Sequence, residues 1–264
     1  MVLRFARCAD LPIISEIFAL GFHDEEVVGP LLHPYRDRHP KDYFNYWRRR
    51  CRERYWDYSR VFLVSSEKDV TTGSEVVVGV AEWQRVGFGW DRFGGLGGFW
   101  DLRKLIRPLI SAFHRILSLW SPNRAAAQVD PSDPFPLTPT TMERSLWPFV
   151  SYCYLSPPHR QTRWSLECIS VLPEYRKSGH GRDLVAWGLE RAREEGIPAS
   201  VMGAADKERF YQRCGFTEIA GWANDGIDDQ GRVNPLKGRI KGGCILYTRV
   251  QEDDEWERNH PQNE

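Results

Sequence analysis

Two spacings of apolar residues divide the chain into elements. Short apolar runs at 3–6, 61–64, 76–83, 164–172, 199–204 and 243–248 predict strands, with 61–64 and 76–83 joined into a hairpin by the polar turn 67–74. Helical spacing over 13–20, 42–58, 101–120 and 184–193 predicts helices, the first introduced by Ala9-Asp-Leu-Pro12. Between the hairpin and the strand at 164–172 lies a long stretch of different character. It opens with a glycine and aromatic tract, 87–98, whose backbone freedom suits a mobile loop. The helix at 101–120 puts Leu102, Leu105, Ile106, Leu109, Ile110, Phe113, Ile116, Leu117 and Trp120 on one broad face, and Arg103, Lys104, Arg107, His114 and Arg115 near the other. Such a helix can cover an acceptor site, dock on the core, join two copies or lie on a membrane surface; a folded core on which to bury it favours packing within the protein. The segment 131–139 reads as an exposed proline-rich connector.

Charge narrows the partners. Lys+Arg and Asp+Glu are each 36 and the net charge is zero, so no bulk field favours nucleic acid or an anionic membrane. The densest basic run, 48–54, lies among Tyr46, Trp47, Tyr55 and Trp56 and reads as the wet face of an amphipathic helix. The cysteines at 8, 51, 153, 168, 214 and 244 form no C-x-x-C pair and have no histidine spacing for zinc, so neither a metal nor a disulfide framework is expected. The first residues lack the apolar core of a signal peptide. No segment approaches the ~20 apolar residues that cross a bilayer. A reducing compartment, cytoplasmic or nuclear, is the expectation.

Arg176-Lys-Ser-Gly179-His-Gly181 stands between a predicted strand and a predicted helix. Glycines there let the backbone approach an oxyanion closely, and the helix start offers unpaired N–H groups and a positive dipole end. The same glycines would serve a turn that merely bends. The lysine and hydroxyl of a P-loop are replaced by Arg182 and Asp183, and the third glycine of a dinucleotide fingerprint by Leu184.

The stretch 171–185 resembles the R-x-x-G-x-G segment of the Gcn5-related N-acetyltransferases (GNAT), and Phe210-Tyr-Gln-Arg-Cys-Gly-Phe216 resembles the corner that closes their core. Leu184-Val-Ala-Trp-Gly-Leu-Glu190 has the style of fungal members whose substrates are unassigned. The resemblance implies an α/β (α+β) fold: a mixed sheet of about six to seven strands, flanked by helices and splayed at the cofactor site. It makes 1–250 a single acetyltransferase domain with an insertion at about 86–146, leaving 251–264 as a polar tail.

It also implies direct attack of an amine on acetyl-coenzyme A in a ternary complex, with no metal. Backbone of Ile169, Ser170 and Val171 would pair with the pantetheine arm, and N–H groups of Arg176, Lys177, Ser178, Gly179, His180 and Gly181 would meet the pyrophosphate. His180 is read as a tolerated turn side chain. Tyr211 corresponds to the tyrosine that protonates the departing thiolate. An alkylammonium must lose a proton before it attacks, so a carboxylate, or water held by one, is needed. Glu167 is the candidate, with Glu82 in reserve. By period two Glu167 shares a face with Ser165, Ile169 and Val171, although the family's best-known register falls at Ser165. Cys214 has no neighbouring histidine to activate it as a nucleophile. The expected acceptor is a small-molecule amine, with no nucleic acid, no integral membrane association and room for a homodimer. A peptide acceptor and a non-catalytic acyl-coenzyme A sensor are the alternatives.

Overall fold

A computed structural model describes residues 1–69, 71, 73–87, 103–130 and 132–259. In chain order the elements are β1 (Val2–Phe5), α1 (Leu11–Gly21), α2 (Pro40–Tyr55), β2 (Arg60–Lys68), β3 (Glu75–Val86), α3 (Arg103–Trp120), α4 (Met142–Leu155), β4 (Arg163–Val171), α5 (His180–Glu195), β5 (Ala199–Gly203), α6 (Glu208–Cys214), β6 (Glu218–Trp222), β7 (Cys244–Tyr247) and α7 (Gln251–Asn259). The strands form one sheet in the order β1-β2-β3-β4-β5-β7-β6. All neighbours are antiparallel except β4 and β5. The mixed sheet of the expected fold is therefore present, and β2 takes up part of the segment read as a turn.

Alternation along the strands builds two cores. Val61, Leu63, Ala81, Trp83, Trp164 and Leu166 pack under α5, while Phe62, Val64 and Val80 pack against α1 and α2. Gly188 lets α5 lie on the indole of Trp83: a Cβ there would stand 2.2 Å from the ring. Trp83 Nε1 donates to Leu184 O (3.1 Å), and Trp164 Nε1 and Arg85 Nε reach the two oxygens of Glu195 at 2.5 and 2.8 Å, so α5 is pinned near both ends. A third cluster joins Leu146, Phe149 and Val150 of α4 to Ile245 and Tyr247 of β7.

Several expectations for the inserted region change. The glycine and aromatic tract lies largely outside the described residues. The broad apolar face of α3 is split: Ile106, Ile110 and Leu117 turn partly inward, whereas Leu105, Leu109, Phe113, Ile116 and Trp120 are exposed. His114, assigned to the polar face, is the buried residue of the helix, because its ring reaches Glu53 of α2. The connector is not simply exposed, since Phe135, Leu137 and Thr138 are buried. Helix α4 has no counterpart in the sequence reading; Pro148 inside it obscures the pattern. The polar tail begins as α7, where buried Asp253 accepts from His159 Nε2 at 2.9 Å. Among the described residues no helix is long and apolar enough to cross a membrane.

Candidate active site

β4 and β5 pair over only three positions, ending at Leu166 with Val201. Beyond that point β5 continues against β7 and β4 against β3, so the sheet parts and the β5-side edge of β4 from 167 to 171 has no neighbouring strand among the described residues. Leu172 N donates to Val78 O at 2.9 Å, and alternation turns the polar groups of Val171 to the free edge, where Arg176 Nε meets Val171 O at 3.1 Å.

The predicted oxyanion turn lies at this opening. Lys177 has φ +67° and Gly179 φ +94°, and α5 begins at His180 with Gly179 as its N-cap. Arg176, Lys177 and Ser178 are exposed. A Cβ on Gly181 would stand 3.5 Å from Phe210 and 3.9 Å from Val171, an ordinary contact within the protein, so the space beside it is not already filled. His180 departs from expectation. It is buried, with Nδ1 2.7 Å from Ser65 Oγ and Nε2 3.0 Å from Glu67 Oε1, and so fastens the turn to β2.

A β-bulge separates the pairs Glu82–Cys168 and Trp83–Leu166, leaving Glu167 as the extra residue. Glu167 and Cys168 consequently both point to the α2 side: Cys168 packs in that core, and Glu167 meets Arg54 and Arg60. Period two holds from Ser165 to Glu167 and then fails, because Ile169 and Val171 pack on the α5 side.

Glu82 is fully buried and is held by Arg50 (3.0 Å), Arg54 (2.8 Å) and Arg60 (2.5 Å). Burial pushes its pKa up, but the three guanidinium groups push it further down, well below the usual carboxylate range. An ion so caged holds charge in place and is unsuited to exchanging protons, which removes it as a reserve base. Glu167, about a quarter exposed, meets Arg54 at 3.3 Å and Arg60 at 3.4 Å. Its pKa is raised by burial and lowered more by Arg60 and Arg54, so it is ionised at neutral pH. The arginines were missed: the run 48–54 was read as a wet face, yet Arg50 and Arg54, one helical turn apart, both turn inward. The legible signal was Glu82 itself, a carboxylate in an otherwise apolar strand that requires cations nearby.

Tyr211 is buried on α6 with its ring against Gly203 of β5, where a Cβ would meet it at 3.5 Å. Burial raises its pKa, so the phenol keeps its proton. Tyr211 and Glu167 thus flank the place where β4 leaves β5, from opposite faces of the sheet. Burial pushes the Cys168 thiol up to about 11 despite Arg50, and raises that of Cys214, so neither is primed as a nucleophile. On the α2 side a cavity of about 660 Å³ lies between α2, α3 and residues 121–140. Arg50 and Arg54 line it while their tips hold Glu82, linking cavity to cluster; Glu167 and Tyr211 are not in its wall.

Residues 149–218 match the model of the acetyltransferase (GNAT) domain. Similar solved structures include that of histone acetyltransferase HPA2 and related acetyltransferase from Corynebacterium glutamicum, with a TM-score of 0.53 at 15% identity over 94% of this chain and 96% of that one. PaiA N-acetyltransferase from Thermoplasma acidophilum, solved with coenzyme A, is more distant, with a TM-score of 0.42 at 10% identity over 94% and 98%. A GNAT acetyltransferase from Brucella melitensis, solved with acetyl-CoA, has a TM-score of 0.35 at 15% identity over 79% and 80%. The matched segment holds the parted strand, the turn and the tyrosine corner, and the first of these structures shares the fold around them. Residues 149–218 thus carry a GNAT acetyltransferase domain, set in a fold shared with the first of these structures.

Proposed function

We propose that the chain transfers acetyl from acetyl-coenzyme A to the amine of a small molecule by direct attack in a ternary complex. The observation that carries this reading is the parting of β4 from β5 with Glu167 and Tyr211 on its two sides. The free edge of β4 along Ile169, Ser170 and Val171, where Ile169 and Val171 turn their polar groups outward and Ser170 turns its own to β3, suits an extended pantetheine arm. N–H groups from Arg176 to Gly181, at the start of α5, suit its pyrophosphate.

In the proposed step the amine nitrogen attacks the thioester carbonyl carbon, and the C–S bond breaks as the amide forms. Tyr211 gives its proton to the departing sulfur. Glu167 is too acidic to hold an ammonium proton itself; it orients the ammonium and a water that carries the proton away. The cavity beside Arg50 and Arg54, walled by α3, suits a compact acceptor better than an extended peptide. The free cysteines fit a reducing compartment, cytoplasmic or nuclear.

Calorimetric titration with acetyl-coenzyme A, coenzyme A, ATP and NAD tests the cofactor, with binding confined to the two coenzyme A species as the expected result. Thiol release over panels of small amines and of peptides tests the acceptor. Turnover on peptides alone would replace the small-molecule reading, and coenzyme A binding without turnover on either panel would favour a sensor.

A further inference from the structure

The charges around the cavity do not cancel. Asp42 is matched by Arg124 at 2.7 Å and the Glu82–Glu167 pair by Arg50, Arg54 and Arg60, while Glu53 meets only the imidazole of His114 at 3.2 Å. Two further arginines line the same cavity without a carboxylate. Arg49 donates to Ser121 O at 3.2 and 3.3 Å, and the exposed guanidinium of Arg115 has no hydrogen-bond or ion-pair partner among the described residues. They come from different helices, Arg49 from α2 beside Arg50 and Arg115 from α3. The wall also keeps a buried polar atom unsatisfied: His114 is about 95% buried and its Nε2 has no partner. Burial lowers the pKa of this histidine, so its ring is neutral and adds no cation to the count. A half-open cavity whose wall carries more guanidinium than carboxylate groups has the chemistry of an anion site, since guanidinium forks carboxylate or phosphate oxygens in pairs.

We infer that this cavity binds a small molecule through a carboxylate or phosphate held by Arg49 and Arg115. Resting on the function proposed above, the same molecule is the acceptor, its amine directed past Arg50 and Arg54 toward Glu167. The acceptor class is then an amine that also carries an anionic group.

The test uses ω-amino carboxylates, ω-aminoalkyl phosphates and ω-amino alcohols of equal chain length, titrated calorimetrically into the full chain with coenzyme A present. The anionic compounds should bind ~10- to 100-fold more tightly than the alcohols, and Arg115→Gln or Arg49→Gln should remove that preference. Arg48→Gln, an exposed neighbour outside the cavity, should leave it intact. Whichever anionic series binds more tightly identifies carboxylate or phosphate. Equal binding of alcohols and anions, binding of neither, or a preference that survives loss of both Arg49 and Arg115 overturns the inference. Thiol release is read separately. Anionic compounds that bind through these arginines yet are never acetylated would leave the anion site standing and defeat the acceptor reading.

Discussion

Glu82 and Glu167 share two guanidinium nitrogens: Arg54 Nη1 lies 2.8 Å from the first and 3.3 Å from the second, and Arg60 Nη1 lies 2.5 and 3.4 Å from them. The fully buried carboxylate fixes the arginines, and the arginines fix the partly exposed one. Glu82→Gln would leave three buried guanidinium groups without their common anion, and is expected to destabilise the fold by about 3–5 kcal/mol, measured by denaturant unfolding. Because its folded pKa is depressed, the stability Glu82 contributes is present above the ordinary carboxylate range. It is lost progressively as pH falls from the ordinary carboxylate range to the lowered folded value, so this cluster should hold at any pH above that range.

Glu167→Gln should have the opposite profile. A quarter of its side chain is exposed and its ion pairs are long, so unfolding should shift little, while turnover should fall ~10- to 1000-fold. Its pKa is also lowered, so a rate limb near neutral pH reports the acceptor amine. That limb should persist in Glu167→Gln. An unchanged rate in the variant would remove Glu167 from the mechanism.

Tyr211→Phe keeps the ring that packs on Gly203 and loses only the hydroxyl. Turnover should drop ~100-fold or more while coenzyme A affinity stays within about twofold, by calorimetry. Since the phenol pKa is raised, wild-type activity should show no loss of this donor up to the alkaline range.

Gly179 and Gly181 should answer differently to alanine. At Gly179, φ +94° strains any L side chain, and Gly179→Ala should cost about 1–2 kcal/mol of folding stability. At Gly181 the added Cβ meets the protein only at ordinary contact distance. Gly181→Ala should therefore unfold like wild type but bind coenzyme A more weakly.

His180→Ala removes a buried ring that joins the turn to Ser65 and Glu67. A destabilisation of about 1–3 kcal/mol is expected, together with weaker coenzyme A binding, because the turn loses its anchor. Wild-type affinity in this variant would show that the turn holds its shape without β2.

The parted strand, the glycine turn and the tyrosine corner were legible as elements because they are local. A strand, a glycine turn and a helix start follow one another in sequence, and the tyrosine corner comes soon after. The carboxylate and arginine cluster was hidden because it is assembled from afar: Arg50 and Arg54 meet Glu82 across about thirty positions, and Arg54 meets Glu167 across more than a hundred. A period of two cannot anticipate the bulge that sends Glu167 and Cys168 to one face. A period of 3.6 shows that α3 has an apolar face. It cannot show that only part of that face meets α2.

The unpaired edge of β4 has a consequence for how the protein keeps. From 167 to 171 the strand presents backbone groups to the gap, blunted at one end by Arg176, and an open edge of this kind is a template for another chain's strand. A pantetheine arm lying there would act as a removable protective strand. Solutions of the ligand-free protein should accordingly lose monomer to aggregation faster on storage than solutions saturated with coenzyme A, and the cell's supply of that thiol would set how long each copy stays usable.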